Sequence, residues 1–121
     1  MLYVLPETAG DIVVVQATEK LTSADYTDTF LPLLEEKITA HGEVRCLLYL
    51  DQGFTGWETG AMWEDAQFGL QHSQDFKRVA LVGGAAWLDW AVKIGELFMR
   101  GEARHFSENQ FLQALHWIDE A

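Results

Sequence analysis

The pattern of apolar runs predicts an α/β domain. It is a mixed, mostly parallel sheet of four or five strands covered by about four helices, in the order ββαβαβα(β)α. Three observations carry this. Short β-type runs alternate with longer segments of helical period. The strand-like runs in the middle of the chain are apolar almost without interruption, which marks burial on both faces. Finally, 121 residues with 49% apolar content suffice for one core and not for two, so residues 1–121 form a single domain.

Residues 2–5 and 12–17 read as strands, and "PETAGD" between them supplies the turn chemistry of an antiparallel hairpin. The stretch "KLTSADYTDTFLPLLEEKITAHG" reads as helix: Thr22 and Asp25 form a capping box, and His41-Gly42 supplies the stop. Pro32 falls inside it, so a kink, or a short turn followed by the main helix, is expected. Residues 45–50 form a third strand, 57–73 a second helix, 78–82 a fourth strand and 85–100 a third helix. "ARHF" reads as a short edge strand. Ser107 and Gln110 then cap a last helix carrying Phe111, Ala114, Leu115 and Ile118.

Composition narrows the function. Nineteen acids against eight bases give a formal charge of −11, which repels phosphate backbones and excludes nucleic acid as the expected partner. No cluster of Lys or Arg suits anionic lipid. A single cysteine, Cys46, fits a reduced, cytoplasmic setting. The first residues lack the basic region of a signal peptide, and no run reaches the roughly 18 apolar residues of a membrane span. Peripheral membrane association stays open.

Catalytic and metal chemistry find no pattern to rest on. Gly83-Gly84 stands at a strand-to-helix turn without the rest of a phosphate-loop motif, and backbone geometry explains it better than anion binding. His41, His72, His105 and His116 show no ligand spacing with one another or with Cys46. His72 and Asp75 have the spacing of a surface pair. Glu58, Glu64 and Asp65 complement a helix dipole. No catalytic residue, metal or cofactor is assigned, and the chain is read as a non-enzyme.

The informative signal is apolar surplus on two helices. At about 100° per residue, Met62, Trp63, Ala66, Gly69 and Leu70 cover one side of the second helix, while Trp57, Ala61 and Phe68 fall roughly opposite. On the third helix Trp87, Trp90, Ala91, Ile94 and Phe98 form one stripe, and Leu88, Val92, Gly95 and Met99 its neighbour. Aromatics at helical spacing serve cores more often than ligands. Four tryptophans on two helices nevertheless exceed what a small core hides. Trp57, Trp63, Phe68, Trp87, Trp90, Ile94 and Phe98 are therefore the candidate ligand or membrane surface, or a homodimer interface.

Three stretches together resemble the SpoIIAA-like family, whose fold is related to STAS and CRAL-TRIO domains: "LTSADYTDTFLPLLEEKITAHGEVRCLLYLDQGFTGW", "WEDAQFGLQHSQDFKRVALVGGAAW" and "EARHFSENQFLQALHWI". The resemblance implies a bacterial, cytoplasmic, non-catalytic binding module. Its ligand would be an apolar or lipid-like small molecule or a membrane surface. The alternative it implies is a STAS-type protein-interaction module. Anti-sigma-factor antagonists of that type carry a phosphorylated Ser in a D-S-[ST]-G-like turn. Here the matching turn is "DQGFTGWETG", and Thr55 and Thr59 are its only hydroxyls. Asp51 and Glu58 nearby oppose a phosphate there.

Overall fold

The computed structural model describes residues 1–84, 87–96 and 99–120, with the backbone alone at positions 62–66, 70, 87, 89–91 and 94. Its frame is a five-stranded sheet in the order β1-β2-β4-β6-β7. The strands are β1 (Leu2–Val4), β2 (Ile12–Ala17), β4 (Val44–Leu50), β6 (Phe76–Gly83) and β7 (Glu102–Phe106). β1 lies antiparallel to β2, and every other pairing is parallel. The opening hairpin and the edge strand thus stand where the sequence puts them. Thr8 fixes the hairpin: its hydroxyl donates to the Val14 carbonyl at 3.0 Å and accepts the Val14 N–H at 2.9 Å.

Two short strands were not foreseen. β3 (Lys20–Leu21) pairs in parallel with β5 (Gly56–Trp57), opposing Leu21 to Trp57. The first helix starts at its predicted Thr22 cap, and the second begins at Thr59 rather than at Trp57. Thr22 caps the first turn, α1 (Ser23–Asp25), with both bonds of the capping box. A π-helical turn, Tyr26–Phe30, follows, and then α2 (Leu31–His41) with Pro32 in its first turn. The Leu31 N–H reaches back five residues to the Tyr26 carbonyl. Pro32 has no N–H to give, and a widened turn before it relieves the clash of its ring with the carbonyl four residues back. Gly42, at φ 77°, ends α2 in the left-handed conformation.

The remaining helices are α3 (Thr59–Gln71), α4 (Trp87–Glu96) and α5 (Phe111–Asp119). Ser107 and Gln110 form the predicted capping box, around a 3-10 turn, Glu108–Gln110, that leads into α5.

From β2 to β7 each crossover steps outward in one direction. Right-handed crossovers then place α2, α3 and α4 on one face. The packing agrees: Leu34, Ala61, Phe68 and Leu88 share a core with Val13, Val15, Ala17, Cys46, Leu48 and Leu50. α5 covers the opposite face, setting Ala114, Trp117 and Ile118 on Val14, Leu47, Ala80, Val82 and Phe106. The pleat sends alternate side chains of β2 and β4 into the two cores, which is why those strands are apolar throughout. Because the strand order never reverses, the sheet has no topological switch point, the crevice in which doubly wound folds hold ligands.

Candidate functional site

The loop from Asp51 to Glu58 carries β4 into α3 and is strapped to the segment after β2. Asp51 accepts the Gly53 N–H at 2.9 Å with one carboxylate oxygen and the Gln16 amide at 2.8 Å with the other. Backbone bonds join Glu19 to Gly53 and to Thr55, and Leu21 to Glu58. The acid that ends the apolar run is therefore a turn-former held by two neutral donors.

Trp57 sits in this strap. Its indole N–H donates to the Tyr26 hydroxyl at 3.2 Å, and its ring meets Phe54 edge-on at 4.9 Å. It is half-buried and anchored to the π turn through Tyr26. Phe68 requires a correction. It is only 6% exposed, packs against Phe76 and stacks on the His72 ring, so it is a core residue and not part of a surface. The reason is the choice of stripe on α3. Ala61, fully buried, and Phe68 turn towards the sheet, and position 63 is about 200° round the helix from Ala61. On α4 it is Leu88, from the second of the two apolar stripes, that enters the core. Trp63 lies in α3, and Trp87, Trp90 and Ile94 lie in α4. Those four side chains, and Phe98 entirely, fall outside the described residues.

Thr55 and Thr59 are both exposed, Thr59 as the first residue of α3. Glu58 precedes that helix without capping it. Its carboxylate accepts the Ser23 N–H at 3.1 Å instead. His72 and Asp75 pair at 2.9 Å around the turn that ends α3. Cys46 is buried in mid-strand. Among the described residues, no three His, Cys, Asp or Glu side chains gather as a metal site, and no helix is long and apolar enough to cross a membrane. Gly83, at φ 85°, packs so tightly on β4 that a Cβ there would collide with the Leu50 carbonyl oxygen, so that glycine serves backbone geometry.

Sequence reading missed the basic side chains under α5. Arg45, Arg78 and Arg104 come from three neighbouring strands. Each has an apolar residue two places on (Leu47, Ala80 and Phe106) in the core beneath that helix. Arg45 forks onto Asp11 at 2.6 and 3.0 Å and donates to the carbonyls of Ile118 and Asp119 at 3.0 and 3.2 Å. Arg78 donates to the Trp117 carbonyl at 2.6 Å and to Glu120 at 3.2 Å. Together they occupy the carbonyls at the C-terminal end of α5, where the helix dipole favours cations. The Arg45 hydrogen bonds outweigh burial and hold the Asp11 carboxyl below the usual carboxylate range. The period-two spacing of an Arg from an apolar residue was the available signal.

A mostly parallel sheet with three helices on one face and one on the other defines a singly wound α/β domain. The SpoIIAA-like family profile matches residues 12–119, and the chain belongs to that family. Among solved structures it is similar to an uncharacterized DUF3478-family protein with a SpoIIAA-like fold from Shewanella loihica PV-4. The identity is 29% and the TM-score 0.76, over 97% of this chain and 93% of the other. No curated protein matches. The family is generally non-catalytic.

Proposed function

We propose that this SpoIIAA-like domain is a binding module, not an enzyme, and that α3 and α4 take an apolar or lipid-like molecule. The observation that supports this is which of the described side chains of these helices reach the sheet. α3 meets the core with Ala61 and Phe68, and α4 with Leu88. At about 100° per residue, position 63 lies far round α3 from Ala61. Positions 87, 90 and 94 lie a quarter-turn or more from Leu88. Those positions carry Trp63, Trp87, Trp90 and Ile94, a second apolar stripe of the sequence that Phe98 extends. The −11 charge favours a neutral or zwitterionic surface over an anionic one.

The test is co-sedimentation with zwitterionic phosphatidylcholine vesicles, with tryptophan emission read alongside for oleate and oleyl alcohol. Binding that is lost in Trp90→Ala, with the fold intact, supports the reading. No sedimentation and no emission change would sink it, and sedimentation without response to free oleate or oleyl alcohol assigns the surface to membranes.

A second reading, a protein-interaction module regulated by phosphorylation, draws on the exposure of Thr55 and of Thr59 at the start of α3. Phosphate incorporation that disappears in Thr55→Ala or Thr59→Ala would support it, and incorporation elsewhere would remove it.

A further inference from the structure

The α5 face holds three arginines, and only two of them are spent. Arg45 and Arg78 are committed to carboxylates and helix carbonyls. Arg104 is exposed and has no ion pair or hydrogen bond among the described residues. Its guanidinium lies instead over the Phe106 ring at 5.1 Å and the Trp117 ring at 5.6 Å. The two rings hold the cation by cation–π attraction, and its N–H donors have no protein acceptor among the described residues.

Arg104 opens onto a groove of about 610 Å³ between β7 and α5. Its apolar parts are Phe106, Trp117 and Leu112, the last 72% exposed. Gln113 and His116 add polar groups from α5. Among the described residues one carboxylate borders the groove, Glu120, and Arg78 already neutralises it at 3.2 Å. The groove therefore combines a positive, forked donor with exposed apolar surface inside an acidic protein.

We propose that this groove is a second binding site, for a small organic carboxylate with a flat apolar body. The carboxylate accepts two parallel hydrogen bonds from Arg104, a geometry that suits a planar anion, and the body lies against Leu112 and the edge of the aromatic pair. The site is on the opposite face of the sheet from α3 and α4 and does not depend on the lipid reading of those helices.

Titration of isotope-labelled protein with naphthoate, naphthalenemethanol and inorganic phosphate, followed by NMR, tests it. Naphthoate should shift the Arg104 side-chain and Trp117 indole signals saturably below about 10 mM, in the range of weak specific binding. The uncharged alcohol and the phosphate should each bind at least tenfold more weakly. Arg104→Gln should weaken naphthoate at least tenfold with at most a small fall in the unfolding midpoint, because the side chain is exposed and gives up only its cation–π contacts. Arg104→Lys should retain part of the affinity. Equal binding of the alcohol reduces the site to an apolar patch, and equal binding of phosphate to a bare charge. Either result overturns the proposal, as do unchanged affinity in Arg104→Gln and shifts confined to α3 and α4.

Discussion

Replacing Arg45 by Met tests the clamp beneath α5. The guanidinium makes two hydrogen bonds to Asp11, at 2.6 and 3.0 Å, and two to the carbonyls of Ile118 and Asp119, at 3.0 and 3.2 Å. The Arg45 and Asp11 side chains are 14% and 19% exposed. That sets the pair between exposed bridges, worth about 0–1 kcal/mol, and buried ones, whose disruption costs about 3–5 kcal/mol. Met keeps the packing of the aliphatic stem, so the loss falls on the charge and its hydrogen bonds. About 2–3 kcal/mol is expected at pH 7, on the order of 10 °C in Tm for a domain of this size. The assay is urea unfolding of Arg45→Met, Asp11→Asn and the double variant, from which the coupling between the two side chains is read. Asp11 has a folded pKa below its unfolded value, chiefly through the Arg45 hydrogen bonds. Its contribution is therefore full above about pH 4 and is lost as pH falls through the depressed folded value. Coupling near zero at neutral pH, or coupling that persists unchanged once Asp11 is protonated, would refute the reasoning.

Four further outcomes are expected. Phe68→Ala should cost about 3–5 kcal/mol in urea unfolding, as for other large aromatics truncated in cores; a near-neutral result would return Phe68 to the surface. Gly83→Ala should destabilise by about 2 kcal/mol or more, from positive φ and the collision with the Leu50 carbonyl combined, and circular dichroism in denaturant would show it. Thr59→Glu, in the exposed first turn of α3, should change stability by no more than about 0.5–1 kcal/mol, towards greater stability; a large loss would argue against an added charge at that position. The Cys46 thiol should react with a thiol reagent only after unfolding, and rapid labelling of the native protein would contradict its burial.

Local chemistry made much of the fold legible. Thr22 with Asp25 and Ser107 with Gln110 are short-range devices, and both form as capping boxes. Pro32 shows the limit of local reading. Its position foretells an interruption, but the π turn depends on how Tyr26 and Phe30 pack into the core. The β3–β5 pair was hidden because each strand has two residues, too few for any period, and each exists only by pairing with the other.

For the candidate surface, the sequence alone shows two apolar stripes on each of α3 and α4. It could not say which stripe meets the sheet, since both have the same period and similar hydrophobicity. Tertiary packing decided that, by seating Ala61, Phe68 and Leu88 in the core and tying Trp57 to Tyr26. The three arginines under α5 separate the two kinds of information further. Their alternation with apolar neighbours is written in the strands. The difference between Arg45, Arg78 and Arg104 is not, because it depends on where the end of α5 comes to rest, and its carbonyls reach only the first two.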